Sequence, residues 1–276
     1  MTTVTETSHT SVGGRGLPPA VSDGLVVMGR NLKRIPRIPE LAIFAILQSI
    51  MFVLLFAFVF GGAIEVPGGY RSYLMPGIFV QTLAFASITT AIGMAEDMNK
   101  GIIDRFRSLP MARSAVLSGR TSADVVYNAG ILLVLMVTGL AIGWRVNTGL
   151  AGFLAGVALL VAFAYAMSWV GVYLGMSVPT VEVAQQLGFI VIFPLTFVSN
   201  AFVTTAGMPK PLQVFADWNP ISALVAACRE LFGNAQPVND SFPMQNPVLM
   251  SVFWIVLTVV VFAPLGVRKY RMAASR

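Results

Sequence analysis

Long runs of apolar residues constrain this chain more than any other feature of its sequence. Several are about twenty residues long, enough for a helix to cross a hydrocarbon layer of about 30 Å at about 1.5 Å per residue. Over the whole chain 56% of residues are hydrophobic, only 11% are charged, and the mean hydropathy is +0.78. A water-soluble domain of 276 residues does not need so much apolar surface. The sequence therefore predicts an all-α, polytopic membrane protein.

Six of these runs are predicted to span the membrane. The predicted spans are Leu41–Ala63, Tyr73–Ala95, Ala123–Trp144, Leu150–Val178, Val183–Val203 and Val248–Val267. If the N-terminus is cytoplasmic, fourteen of the eighteen basic residues lie on the inner side. The exceptions are Arg71, Arg145, Lys210 and Arg229. By the positive-inside rule this bias predicts a plasma-membrane protein with both termini in the cytoplasm.

The two ends of the chain differ in composition from the spans. Residues 1–22 are rich in Thr, Ser, Gly and Pro and are predicted to be a disordered cytoplasmic tail. Residues 23–40 alternate apolar and basic side chains at helical spacing, which predicts an amphipathic interfacial helix. The alternative is a short basic lead-in that only orients the first span. Residues 268–276 form a predicted basic cytoplasmic tail.

The segment 204–246, between the fifth and sixth predicted spans, is the longest piece on the outer side. Its middle is too short to span and too apolar to lie free in water, so it predicts a re-entrant helical hairpin that dips into the outer leaflet. Asn219-Pro220 should separate its two halves. Arg229 and Glu230 are predicted to mark the side that faces water.

Small and polar residues inside the spans suggest how the helices pack. The fourth span contains Gly152-x-x-x-Gly156 and Gly171-x-x-x-Gly175, a spacing that lets two helix backbones approach closely or that arises by chance in a glycine-rich span. Pro76 and Pro194 interrupt the second and fifth spans and should kink them. Asp124 follows Arg120 by four residues and either pairs with it on one helix face or reaches interfacial water.

Charged side chains are missing from the middle of every predicted span. Ion-coupled carriers usually keep an ionisable group at that depth, so this absence disfavours a secondary carrier. The sequence also lacks a phosphate-binding loop, a dinucleotide fingerprint, a Cys-x-x-Cys pair and a His-Glu-x-x-His motif. His9 is the only histidine and Cys228 the only cysteine. We therefore expect no catalytic residues, no metal site, no directly bound cofactor and no nucleic-acid partner.

Residues 96–120 form a charged island between two apolar runs, with eight of the chain's thirty charged residues. Asp97 or Asn99 can cap a short helix in which Ile102, Ile103 and Phe106 recur at helical spacing. Leu109-Pro110 should end that helix. An exposed apolar ridge with a charged rim is typical of a docking element for a cytosolic protein, the alternative being a basic loop that only sets topology.

The same island carries a family resemblance. Glu96-Asp97, Lys100-Gly101, Asp104-Arg105, Leu109-Pro110 and Leu117-Ser-Gly119-Arg120 resemble the signature of type 2 ABC exporter permeases, particularly the daunorubicin-resistance branch. The likeness covers most of the chain from Asp23 onward. It implies that the helix after the second span docks on a separate cytosolic ABC ATPase subunit, which binds ATP and Mg. It also implies an assembly of two ATPases with two permeases, either a second copy of this chain or a paralogue.

Two groups of site residues follow. The resemblance implies that ATPase coupling involves Glu96, Asp97, Gly101, Ile102, Asp104, Arg105, Phe106, Leu109, Pro110 and Arg113. The candidate substrate path consists of uncharged polar residues within or close to the spans, namely Gln81, Thr89, Thr90 and Asn200. With abundant Phe and Met, these residues suit an amphipathic drug, antibiotic or lipid, although they equally suit helix packing.

The predicted function is therefore the permease subunit of an ATP-driven exporter that contacts membrane lipid and moves an amphipathic solute out of the cell. The sequence leaves two alternatives, a secondary carrier or facilitator and a membrane scaffold that does not transport. The sequence leaves open a central cavity or a lateral lipid groove as the route.

Overall fold

The computed structural model describes residues 28–29, 39–62, 64, 66, 68–101, 113–234 and 240–273. Throughout these residues the regular structure is helical, and no strand occurs among them. The longer helices are α1 (Pro39–Leu55), α2 (Tyr70–Asn99), α3 (Arg113–Ala141), α4 (Leu150–Gly175), α5 (Val181–Phe197), α6 (Lys210–Asp217), α7 (Pro220–Phe232) and α9 (Pro247–Ala273), with the single turn α8 (Phe242–Gln245) between α7 and α9. The predicted all-α class is confirmed for this part of the chain.

Among the described residues, four helices are long and apolar enough to cross a membrane, namely α2, α3 from Leu117, α4, and α9 as far as Met272. Two shorter apolar helices cover Ile46–Phe60 and Val181–Phe197, within the predicted first and fifth spans. The apolar runs are thus helices as predicted, whereas a count of six crossings exceeds the four that length and composition support. Helix α9 continues past the predicted end at Val267 through Arg268, Lys269 and Arg271.

Helix α2 lies at the centre of the bundle. In its most apolar stretch 67% of residues are buried, whereas α9 buries only 11% of the corresponding stretch. A helix that is apolar all round must be covered by other helices or by lipid. Helix α2 is therefore covered by protein, and most of the apolar surface of α9 is left for lipid.

Glycines on α4 and α5 allow close approach to α2. A Cβ at Gly171 would lie 2.7 Å from the Cβ of Thr90, and a Cβ at Gly175 would lie 2.6 Å from the Cβ of Met94. On α5, a Cβ at Gly188 would lie 2.8 Å from Ile88 Cγ1. Such distances are shorter than real Cβ contacts, so the glycines are required for the observed helix spacing.

The first glycine pair of α4 serves a different contact. A Cβ at Gly152 would lie 2.7 Å from the carbonyl oxygen of Leu231, and one at Gly156 would lie 2.8 Å from Phe232 Cζ. Both Gly-x-x-x-Gly pairs of α4 are therefore packing sites, one against α7 and the other against α2. The Phe232 ring also packs edge-on against Trp144, with ring centroids 5.5 Å apart.

A π-helical turn, Phe56–Phe60, continues α1. The rings of Phe52 and Phe56 stack with centroids 5.0 Å apart, and Phe56 stacks on Phe202 at 4.6 Å. These ring contacts pack the end of α1 against the segment that follows α5.

Several predicted segments lie outside the described residues. These are the tail 1–22, the amphipathic helix 23–40 apart from residues 28–29 and 39–40, and residues 274–276.

Candidate functional site

An ion pair joins the neighbouring ends of α2 and α3. Asp97 lies in the last turn of α2, and its carboxylate accepts a hydrogen bond from the guanidinium of Arg120, two turns into α3. Their side chains are only 14% and 13% exposed, so water screens this pair weakly. The nearby pair between Glu96 and Lys100 is 3.2 Å long but much more exposed. The Asp97–Arg120 pair therefore connects the two helices that bracket residues 100–112, whereas the Glu96–Lys100 pair lies at the end of α2.

Gly93 provides the space in which the Arg120 side chain lies. A Cβ at Gly93 would overlap the guanidinium of Arg120. Gly93 precedes Asp97 by four residues, so both lie on the same face of α2. The guanidinium therefore lies across this face, from Gly93 to the carboxylate of Asp97.

A second polar contact lies deeper in the bundle. The hydroxyl of Thr90 donates a 2.9 Å hydrogen bond to the carboxylate of Asp124. Asp124 was predicted either to pair with Arg120 or to reach water; in the structure its hydrogen-bond partner is Thr90, and Arg120 bonds Asp97 instead. The reason is that Gly93 lets the guanidinium reach across to α2.

The predicted coupling residues fall into three groups. Glu96 and Asp97 belong to the last turn of α2, which extends beyond the predicted span, and Gly101 adopts a left-handed conformation with φ 63° just after the helix. Arg113 begins α3, but its side chain is outside the described part. The others lie outside the described residues, namely Ile102, Asp104, Arg105, Phe106, Leu109 and Pro110. Their role in coupling stays a prediction.

A cavity of about 440 Å³ opens between α1, α2, α3 and α5. Rings from all four of these helices line it, together with neutral amides and hydroxyls. The lining comprises Gln48, Ser49, Phe52, Gln81, Thr82, Phe85, Ala86, Ile88, Thr89, Ile92, Tyr127, Asn128, Ile131, Gln185, Phe189, Phe193 and Phe197. None of these side chains is charged. An apolar cavity with a few neutral hydrogen-bonding groups suits a weakly polar solute.

The four predicted path residues separate in the structure. Gln81 and Thr89 line the cavity. Thr90 bonds Asp124 on the adjacent face, and Asn200 is buried beside α7, where its N–H donates to Ser222 Oγ at 3.0 Å. The structure therefore does not bring all four together.

Several lining residues were not predicted. Gln48, Tyr127, Asn128 and Gln185 lie in three different helices and meet only in the folded chain. In the sequence, a residue such as Gln48 stands out only as an amide within an apolar run. That pattern does not show which face of the helix borders a cavity.

The segment after α5 holds a fully buried cation. Arg229 is 0% exposed, and its guanidinium donates to the carbonyl oxygens of Tyr73 and Asn200, both at 2.9 Å, and of Ala201 at 3.3 Å. It also lies 3.5 Å from the centroid of the Tyr73 ring. The prediction that Arg229 faces water is thus wrong, because α5 ends at Phe197 and the carbonyls beyond it need donors.

Asn219 also satisfies carbonyls at this break. Its side-chain amide donates to the carbonyl oxygens of Leu195 at 2.6 Å and Val198 at 2.7 Å, while its Oδ1 accepts from the N–H of Ile221 at 2.8 Å. Asn219 therefore caps the start of α7 and the end of α5 together. The predicted break at Asn219-Pro220 lies at this junction.

No group of three His, Cys, Asp or Glu side chains that could hold a metal occurs in the described ranges. Cys228 is completely buried in α7, and burial raises the pKa of its thiol far above the usual range. Its thiol is therefore protonated and shielded, which does not suit a nucleophile.

Comparison with known proteins gives one family and several relatives. A family model described as "ABC-2 type transporter" matches residues 24–233. The chain is similar to the daunorubicin resistance ABC transporter permease protein DrrB1 of Streptomyces coeruleorubidus, with 32% identity over 91% of this chain and 87% of that protein. It is also 27% identical to the probable doxorubicin resistance ABC transporter permease protein DrrC of Mycobacterium tuberculosis, over 92% of this chain and 90% of that protein.

Proposed function

Because the chain belongs to the ABC-2 type transporter family, as a permease of an ABC exporter, we propose that it moves a weakly polar, aromatic solute out of the cell. The cavity between α1, α2, α3 and α5 supports the solute class most directly, since its lining combines rings with neutral amides and hydroxyls. The relatives are named for daunorubicin and doxorubicin resistance. Doxorubicin is therefore the first probe to test.

Family membership implies an ABC ATPase partner and a dimeric assembly. We infer that ATP and Mg bind only to that partner and that this chain is not catalytic, since its sequence has no phosphate-binding loop. Co-purification of the complex would identify the second permease as a copy of this chain or a paralogue. Surrounding lipid is expected to cover the exposed apolar faces, such as that of α9.

The topology that fits this role has six crossings. The four long helices supply four, and α1 with its π-helical continuation and the shorter α5 supply the other two. The positive-inside bias then places both termini, and residues 96–113, in the cytoplasm. Helices α6 and α7 form the re-entrant hairpin at the outer leaflet, supported by the exposed apolar side chains Leu212, Val214 and Phe215 on α6.

The transport cycle follows from the position of the loop between α2 and α3. We infer that ATP binding closes the ATPase dimer, which pushes the segment 101–109 and shifts α1, α2 and α5. The cavity walls come from these three helices and α3, so their relative movement changes its access. A push of this kind produces transport only if the two states differ in their contacts.

Coupling is tested with Phe106→Ala and Arg105→Glu. Cells that express the permease and its ATPase are loaded with doxorubicin, efflux is followed by fluorescence, and ATPase binding is measured by co-purification. Both variants should lose efflux and ATPase binding while the chain still inserts into the membrane. Lys210→Glu, a charge reversal at the exposed start of α6, is the control and should behave as wild type. Full efflux in both loop variants would refute the coupling role.

The cavity is tested separately. Gln81→Leu and Phe85→Ala should each alter doxorubicin efflux by about threefold or more, because a lost hydrogen bond or ring contact typically costs about 1 kcal/mol. The control is Phe253→Ala, since Phe253 lies on α9 with half of its surface exposed. Equal efflux from all three variants would show that the solute passes elsewhere.

A further inference from the structure

Four side chains connect the ends of α2 and α3 to the cavity. We call Asp97, Arg120, Thr90 and Asp124 the inner polar cluster. On α2, Thr90 and Asp97 are seven residues apart, and on α3, Arg120 and Asp124 are four apart, so each pair lies on one helix face. Along α2 the cluster extends about 10 Å at about 1.5 Å per residue.

The cluster is continuous with the cavity wall. Thr89, next to Thr90, lines the cavity, and so does Asn128, one turn beyond Asp124 on α3. At its other end, Asp97 and Arg120 stand where α2 and α3 flank residues 100–112. The cluster therefore lies between the docking loop and the cavity, so a movement of α2 against α3 that starts at the loop must alter these contacts as well as the cavity wall.

Arg120 has the chemistry to exchange partners. Its Nη1 bonds Asp97, while its Nε is buried and has no hydrogen-bond partner among the described residues. Asp124, one turn along the same helix, lies within electrostatic reach of the guanidinium. A buried donor without an acceptor is costly, so a rearrangement that supplies one is favourable.

We propose that Arg120 is a positioning residue for transport, which exchanges its carboxylate partner between Asp97 and Asp124 as α2 and α3 shift. This inference rests on the proposed function, since it assigns the connection between the ATPase-coupling loop and the cavity. In the present state Arg120 holds α2 through Asp97, and Thr90 holds Asp124. In the second state Arg120 bonds Asp124, and Thr90 is released beside the cavity wall.

The experiment uses the full permease with its co-purified ATPase in lipid nanodiscs for ATP hydrolysis, and cells that express both proteins for doxorubicin efflux. Arg120→Gln and Asp124→Asn should each lower efflux by about tenfold, within the range typical of coupled sites. Asn at position 124 can still accept the Thr90 hydrogen bond, so only the charge is lost. Bound ATPase and its basal hydrolysis should remain within about twofold, because the docking loop is unchanged.

Three further comparisons distinguish the exchange of partners by Arg120 from simple stabilisation of the contact between α2 and α3. Thr90→Val should lower efflux, whereas Thr90→Ser, which keeps the hydroxyl, should retain it. Lys100→Gln, which breaks the exposed pair with Glu96, should have no effect. The swap Asp97→Arg with Arg120→Asp restores a cross-helix pair but puts a carboxylate beside Asp124, so it should recover thermal stability without recovering efflux.

Retained efflux in Arg120→Gln and Asp124→Asn would overturn this inference and leave the proposed function intact. Full recovery of efflux by the charge swap would also overturn it, since an ion pair between α2 and α3 that never changes partners would then be sufficient for transport. So would a parallel loss of efflux, ATPase binding and basal hydrolysis, because the cluster would then act in assembly. If the wild-type pair neither exports doxorubicin nor binds the ATPase, the proposed function fails and this inference with it. Burial of the Cys228 thiol reports folding in every variant.

Discussion

Replacing Arg229 by methionine should destabilise the protein more than any exposed substitution. The guanidinium donates to three backbone carbonyls and stacks on Tyr73, and none of it reaches water. Methionine fills a similar volume but cannot donate. The carbonyl of Tyr73 in α2 and the carbonyls of Asn200 and Ala201 after α5 would then lose these bonds.

The expected change in the free energy of unfolding follows from two costs and one opposing gain. Each buried carbonyl left without a donor costs about 1–3 kcal/mol, although the carbonyl of Tyr73 can remain partly satisfied by its own helix and that of Asn200 keeps a 2.8 Å hydrogen bond from the Tyr73 hydroxyl. Loss of the stacked cation adds about 1–2 kcal/mol. Against this, removing a buried charge recovers several kcal/mol of desolvation. Because the partners left behind are neutral carbonyls, we expect a net cost of about 1–3 kcal/mol, that of one buried polar group left unsatisfied.

The assay is thermal unfolding of the purified protein in a mild detergent, read as the fraction that still elutes as a folded species after heating. Arg229→Met should lower the Tm by about 2–12 °C, at about 2–4 °C per kcal/mol. Arg229→Lys keeps the charge but not the planar fork, so it should fall between methionine and wild type. Arg145→Gln is the control, because Arg145 also donates to two carbonyls but is exposed. Wild-type stability of Arg229→Met would refute the reasoning, since desolvation would then outweigh the hydrogen bonds.

Three further predictions concern packing and capping. Gly171→Ala should lower the free energy of unfolding by about 1–3 kcal/mol, because the added methyl group pushes α4 away from Thr90. Gly130→Ala should be neutral or stabilising, because a Cβ there meets no atom within 4 Å. Equal unfolding temperatures of the two variants would contradict the packing role of Gly171. Cys228 should resist a maleimide at pH 7–8 in the folded protein and react after denaturation, because burial raises the pKa of its thiol; rapid labelling of the folded chain would show that α7 is accessible. Asn219→Ala should lower stability by about 1–2 kcal/mol in the same unfolding assay, and Asn219→Asp should recover only the α7 cap; full recovery would mean that the contacts to α5 are unimportant.

The residues of the candidate site were predictable to different degrees. Gln81 and Thr89 are polar residues in an apolar helix, and that property alone predicts them, and both line the cavity. Their neighbour Thr90 has the same property but faces Asp124, because consecutive helix positions point about 100° apart. Asn128 and Gln185 join the cavity from other helices, and no local pattern relates them to Gln81.

The sequence by itself determined that this chain is helical and suited to a membrane, because runs of apolar residues long enough to span lipid are a local property. It also determined the family, through the residues around Glu96–Arg120 and the match over residues 24–233. Tertiary structure alone decided that Arg120 bonds Asp97, 23 residues away, and that Arg229 is buried against the end of α5. The physical reason is that both cations satisfy acceptors on another part of the chain, Arg120 on α2 and Arg229 on α2 and on the turn after α5. Such contacts depend on how close the helices pack, which glycines such as Gly93 and Gly171 permit but no periodicity reveals.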